Sequence, residues 1–272
     1  MAEKKTSDKQ GEKLLVLIAN NKGGVGKSVI ARALADLYRS TSKTVHIFDA
    51  DGGTGSLLVS YGERDANGAL LKTQDPAKGI GFYDIRSDGS RNTLLDALGA
   101  GAPIVVHDMA GGSLNELKRI VDDGDGVEGL LDAIDAQGYK LVIVHAISNV
   151  AAATQSVRDY LNTFGTRAYH IAVVNKAWGR DDSDFPFWYG FTTTDGVQKG
   201  GKARADLLAA GGSEIIFPAL QAGTFAKVDA ANLPFSKAAD SSDLSITERA
   251  HLSKFNKAAA AAFLEIKDKI GL

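Results

Sequence analysis

Asn20-Asn21-Lys22-Gly23-Gly24-Val25-Gly26-Lys27-Ser28 lies between an apolar run and an amphipathic one, and its reading decides the fold. Before it, Leu14 to Ala19 (LLVLIA) is short and apolar enough for a buried parallel strand. After it, Ser28 to Ser40 spaces Val29, Ala33, Leu34 and Leu37 along one face of a helix. The glycines therefore occupy a strand-to-helix turn. Lacking a Cβ, they permit the close approach that lets consecutive N–H groups converge on phosphate oxygens at a helix N-terminus. Lys27 would bring charge to the β- and γ-phosphates, and Ser28 a hydroxyl to Mg²⁺. Gly23, Gly24, Val25, Gly26 and Val29 complete the expected cradle.

The general pattern G-x-x-x-x-G-K-[ST] is not met in full, because Asn21 stands where the first glycine belongs. Lys22 instead precedes the glycines. The resulting K-G-G-V-G-K-S resembles the deviant Walker A loop of the ParA/MinD family of P-loop ATPases. That resemblance implies ATP and Mg²⁺ as cofactors and a homodimer closed face to face on the nucleotide. It also implies that Lys22 reaches the phosphates of the other subunit. A glycine-rich turn without a ligand is the alternative reading of the loop.

The rest of the chain continues the alternation. Thr44 to Phe48 (TVHIF), Gly81 to Ile85, Pro103 to His107 (PIVVH), Lys140 to His145 (KLVIVH) and Ala168 to Val174 (AYHIAVV) read as strands. Helical spacing appears in Thr93 to Leu98 and in Ala151 to Phe164. The fold class that follows is α/β: a mostly parallel twisted sheet with helices on both faces, whose ligands sit at the carboxyl ends of the strands. Residues 1–13 form a charged stretch without periodicity, expected to be a disordered polar tail, and 14–272 are expected to form one domain with a less regular last third. There Ser213 to Phe217 (SEIIF) is a late strand and Ile246 to Ile270 a C-terminal helix.

Composition narrows the function classes. Hydrophobic content of 44% and charge of 24% suit a soluble globular chain, and a net charge of −2 exerts no general pull on nucleic acid or membrane. The absence of cysteine excludes disulfides and thiolate metal sites. The five histidines show no metal-ligand spacing. With a polar N-terminus and no run of membrane-spanning length, a cytoplasmic location is expected, and no membrane partner.

A nucleotide hydrolase needs carboxylates near the metal and the attacking water. Asp108 follows Ile104-Val105-Val106-His107 and precedes Met109-Ala110-Gly111-Gly112, and an apolar strand ending in Asp resembles a Walker B site that holds Mg²⁺. Its competing reading is a cap on a helix starting near Ser113. Asp49-Ala50-Asp51 resembles the family's D-x-D, which implies Asp51 for the hydrolytic water and Asp49 nearer the metal. Gly52-Gly53-Thr54-Gly55 departs from the family's usual continuation, and an ordinary acidic turn is the alternative. Val173-Val174-Asn175-Lys176 lacks the aspartate of the guanine motif, since position 178 is Trp, so adenine is expected. By resemblance Asn175 would bond its edge; a strand-end asparagine making a turn is the plainer reading.

Two further segments stay open. Trp178, Phe185, Phe187, Trp188, Tyr189 and Phe191 form either a partner surface or rings folded onto the core beside the nucleotide. Lys199, Lys202 and Arg204, with Arg158, Arg167 and Arg180, form either a solvated basic face or a nonspecific DNA contact. The terminal helix has too few apolar residues and too balanced a charge to target membrane. The function expected is an ATP-dependent, dimerising switch ATPase, slow and partner-stimulated, that positions or partitions DNA or a cellular cargo. Plasmid-partition and conjugative-transfer ATPases are its expected relatives. A ligase-like P-loop metabolic enzyme and a non-hydrolysing ATP-binding adaptor are the rivals.

Overall fold

The chain's first strand, β1 (Lys13–Ala19), sits at the middle of the sheet and turns Leu14, Val16 and Ile18 to one face and Leu15, Leu17 and Ala19 to the other, all buried. Burial on both sides is why the run is continuously apolar, and each such Leu or Ile contributes about 1.5–3 kcal/mol. The computed structural model describes residues 12–52 and 55–272. Apart from Glu12 and Lys13, the expected N-terminal tail lies outside the described residues, and Lys13 already belongs to β1.

Around β1 lie β2 (Val45–Asp49), β3 (Gly81–Phe82), β4 (Ile104–Asp108), β5 (Tyr139–Ile147), β6 (Ala168–Asn175) and, after the short hairpin of β7 (Phe191–Thr192) and β8 (Gln198–Lys199), β9 (Ser213–Phe217). The seven long-sheet strands run in the order β3-β2-β4-β1-β5-β6-β9, and each neighbouring pair is parallel. The expected fold class is therefore present. Chain order reverses at β1, where β4 lies on one side and β5 on the other, so the ends of these strands open a crevice.

One face carries α1 (Lys27–Arg39) and α2 (Ser56–Tyr61). The other carries α3 (Thr93–Asp96), α4 (Leu114–Lys118), α5 (Glu128–Ala136) and α6 (Ala151–Phe164). After α7 (Pro186–Tyr189) and α8 (Lys202–Ala209), the chain returns to the first face with α9 (Ala222–Ala230), α10 (Phe235–Ala238), α11 (Ile246–Leu264) and α12 (Lys267–Ile270). The expected single C-terminal helix is thus two, broken at Glu265 and Ile266, and the break seats Ile266 and Ile270 in the core, where Tyr38 Oη donates to the Ile270 carbonyl at 2.6 Å. No helix among the described residues is long and apolar enough to cross a membrane.

Two buried histidine environments are expected to make the fold acid-sensitive. His107 stacks on Phe48 with ring centroids 4.8 Å apart and bonds Tyr83 Oη through Nδ1 at 2.9 Å. Burial lowers its pKa from 6.5 to about 3. His145 and His170 stack and share a 2.9 Å bond, and burial lowers both. As pH falls through 6.5 the unfolded chain protonates His107 while the folded one does not until about 3, so this stability is complete above 6.5 and is lost across that window. Urea unfolding of His107→Phe against wild type isolates the effect. The variant should gain about 2 kcal/mol relative to wild type on moving from pH 7 to pH 5. An unchanged difference would mean that the folded ring accepts the proton.

Candidate functional site

The loop between β1 and α1 crosses the mouth of the crevice, and side chains fix it at both ends. Asn20 is buried, and its Nδ2 donates to the carbonyls of Ala146 at 2.9 Å and Ala153 at 3.0 Å, which ties the loop's start to β5 and α6. Its Oδ1 accepts from Lys22 N at 2.8 Å, and Asn21 N donates to Ser156 Oγ at 2.8 Å. Gly26 has φ 101° and Asn175 Nδ2 would stand 2.2 Å from any Cβ there, so only glycine fits. The first turn of α1 contains no acidic residue and Gly26 offers no side-chain cap, leaving its leading N–H groups for an anion.

Lys27 is buried beneath this loop, with Nζ at 3.5 Å from the Lys22 carbonyl, the outer limit of a hydrogen bond. Burial lowers its pKa, against the pull of Asp108 and Asp51, which favour the charge. Lys22 itself is exposed at the rim.

Asp49 and Asp108 are register partners at the ends of β2 and β4, and both are buried. Asp108 ends the strand instead of capping a helix: α4 starts at Leu114, with Ser113 before it. Burial raises the Asp108 pKa well above the carboxylate range, and the neighbouring Asp49 charge adds to it, while the Ser28 hydroxyl and Lys27 work the other way. Asp108 Oδ1 is buried without a hydrogen-bond partner among the described residues. An orphaned buried carboxylate oxygen beside a hydroxyl fits Mg²⁺, which keeps several waters and takes one or two carboxylates plus phosphate oxygens. No group of three or more His, Asp or Glu among the described residues is placed to hold a metal by itself. Asp49 Oδ1 accepts from Asp51 N and Oδ2 from Leu58 N, each at 3.2 Å. It thereby ties the end of β2 to the first turn of α2, and burial raises its pKa as well.

Asp51 follows β2 at the rim, where Arg86 Nη2 meets its Oδ1 at 2.9 Å. Nothing in the sequence singled out Arg86, because it arrives from the separate turn after β3 while its partner Asp51 follows β2. Gly111 lies against Gly23, so the loop after β4 closes one side of the mouth.

Asn175 faces the loop: Nδ2 donates to the Val25 carbonyl at 3.2 Å and Oδ1 accepts from Ala177 N at 3.1 Å. Both ends of the amide thus bond protein, the Oδ1 contact being the turn-forming one. Beside it opens a cavity of about 340 Å³ lined by Gly26, Val29, Trp178, Pro218, Leu220 and Phe225. Its apolar walls and size suit a flat heterocycle next to the loop. The residues after β9 carry no motif, so only the fold brings them there. Another cleft, about 490 Å³, opens by Lys13, Ile104 and Leu272 at the opposite end of the sheet.

The aromatic segment divides. Phe185 and Trp188 are fully buried against Val157 and Leu207, with Trp188 Nε1 donating to Glu214 Oε2 at 2.6 Å, while Phe187 and Phe191 remain exposed. Of the six basic residues considered for DNA, Arg167 is held by Glu128, Asp132 and Asp135, Arg204 by Glu214, and Arg158 lies 3.9 Å from Asp206.

The CobQ/CobB/MinD/ParA nucleotide-binding domain model matches residues 16–184. The chain belongs to this family. The CobQ/CobB/MinD/ParA match spans the loop, both acidic strand ends and Asn175. Solved structures agree in fold. The MinD cell division protein of Aquifex aeolicus is 14% identical with a TM-score of 0.50 over 93% of this chain and 97% of its own. A ParA family ATPase from Chlorobium tepidum is 14% identical, TM-score 0.50, over 93% and 99%. The septum site-determining protein MinD of Pyrococcus horikoshii, solved with Mg-ADP, is 12% identical, TM-score 0.51, over 93% and 95%. No curated protein sequence matches the chain.

Proposed function

We propose that this chain is an ATP hydrolase that works as a dimerising switch, closing on ATP and Mg²⁺ and opening after hydrolysis to position a cargo. The observation that carries the reading is the convergence of Lys27, Ser28, Asp51 and Asp108 at one loop mouth. Bound Mg²⁺, held by Ser28 and Asp108, would neutralise phosphate charge. The N–H groups from Gly23 to Val29 cradle the phosphates, Lys27 offsets charge developing on the phosphoryl oxygens, and Asp51 orients the attacking water. Lys22, exposed at the rim, is free of the buried core and reaches the site of a second subunit. Adenine lies in the cavity beside Val29 and Phe225. The Mg-ADP bound by the Pyrococcus horikoshii MinD supports the choice of nucleotide.

The partner we favour is a protein or cargo adaptor. The pairing of Arg158, Arg167 and Arg204 with carboxylates leaves fewer free cations for DNA phosphates. Sizing chromatography tests the switch: wild type should shift to a dimer with Mg-ATP, and Lys22→Ala should remain monomeric. A monomer in wild type under saturating ATP would defeat the dimer mechanism and favour the ligase-like or adaptor readings.

A further inference from the structure

The Val25 carbonyl accepts two hydrogen bonds from the turn after β6, one from Asn175 Nδ2 and one from Trp178 Nε1, both at 3.2 Å. A carbonyl oxygen has two lone pairs, so these donors saturate it. The brace is anchored in turn: Asn149 Nδ2, just before α6, donates to the Trp178 carbonyl at 3.0 Å, and Asn175 Oδ1 takes Ala177 N. The peptide between Val25 and Gly26 is planar and trans, so its C=O and N–H point in opposite directions. Pinning the Val25 oxygen against the turn therefore aims the Gly26 N–H away from it.

Contact at this point is tight. Gly26 approaches Asn175 so closely that a Cβ would overlap its amide, and Val25 is buried. Trp178 differs from Phe185 and Trp188 in being 41% exposed, so core packing does not explain its placement. Its ring lines the cavity beside the loop, which by itself would suggest a wall for the base. The indole nitrogen does something a wall does not require: it fixes the orientation of one loop peptide.

We propose that Trp178 is a positioning residue for the phosphate-binding loop, acting through the Val25 carbonyl on the Gly26 N–H. This rests on the nucleotide reading above and names a residue that sets phosphate affinity at that site.

Trp178→Phe keeps an aromatic ring in the cavity and removes the donor. Calorimetric titration of the full chain with Mg-ATP and with Mg-tripolyphosphate, which has no base, separates the two roles. The variant should bind both ligands about fivefold more weakly, the loss expected for one hydrogen bond, with its circular dichroism spectrum retained. Weaker ATP binding with unaltered tripolyphosphate binding would overturn the proposal and assign Trp178 to the base. Unaltered binding of both would overturn it as well. A wild-type chain that binds neither ligand would overturn the nucleotide reading and this proposal with it.

Discussion

Lys27→Ala is expected to lower ATP turnover by about a hundredfold or more and to remove measurable phosphate release at ordinary protein concentrations. The ammonium is buried under the loop, where burial opposes its charge and Asp108 and Asp51 sustain it. A charge held in such a place interacts more strongly with phosphoryl oxygens than one in water, because little solvent screens it. Alanine also removes the cation that counteracts proton binding at Asp108, so that carboxylate should hold its proton to still higher pH. The loss should appear both as weaker binding of a fluorescent ATP analogue and as slower turnover, with the circular dichroism spectrum retained. Turnover within threefold of wild type would show that Lys27 serves the loop's structure alone.

Asp51→Asn should separate binding from hydrolysis. The side chain sits at the rim with Arg86 Nη2 on its Oδ1, so its direction is already set before any nucleotide arrives. Asparagine preserves size and removes the charge that, in the mechanism proposed above, would orient and polarise water. Loss of such a group lowers turnover by about 10²- to 10⁴-fold. Nucleotide affinity should change little, because the loop and Lys27 remain. Sizing chromatography with Mg-ATP should accordingly show the variant accumulating as a dimer where wild type cycles. Wild-type turnover in Asp51→Asn would assign the water to another group, and the loss of the dimer would place Asp51 in the interface rather than in hydrolysis.

The contrast between Asp49 and Asp51 shows how far a linear reading extends. Both stand two residues apart in D-x-D, and the sequence offers both to the metal and water. In the fold, strand pairing buries Asp49 beside Asp108 and bonds its oxygens to the N–H groups of Asp51 and Leu58, whereas Asp51 emerges at the rim. Asn175 makes the same point. Its position at the end of β6 was legible, but its hydrogen bonds to Val25 and Ala177 depend on how closely β6 approaches the loop. The aromatic segment could not be resolved at all from spacing, since Phe185 and Trp188 are buried by α6 and α8 while Phe187, two positions away from Phe185, is not.

Local sequence determined the alternation of strand and helix, the phosphate loop and the strand-end Asp108, because backbone propensity, apolar periodicity and glycine geometry act over a few residues. Only the tertiary structure decided which strands neighbour one another. That placement brings Ser156 to Asn21, Arg86 to Asp51, Trp178 to Val25, and Pro218 and Phe225 to the cavity wall. These pairs are separated by long stretches of chain and carry no mutual spacing. Their meeting follows from the burial of both sheet faces, which fixes strand order and register and so gathers the loops at one end.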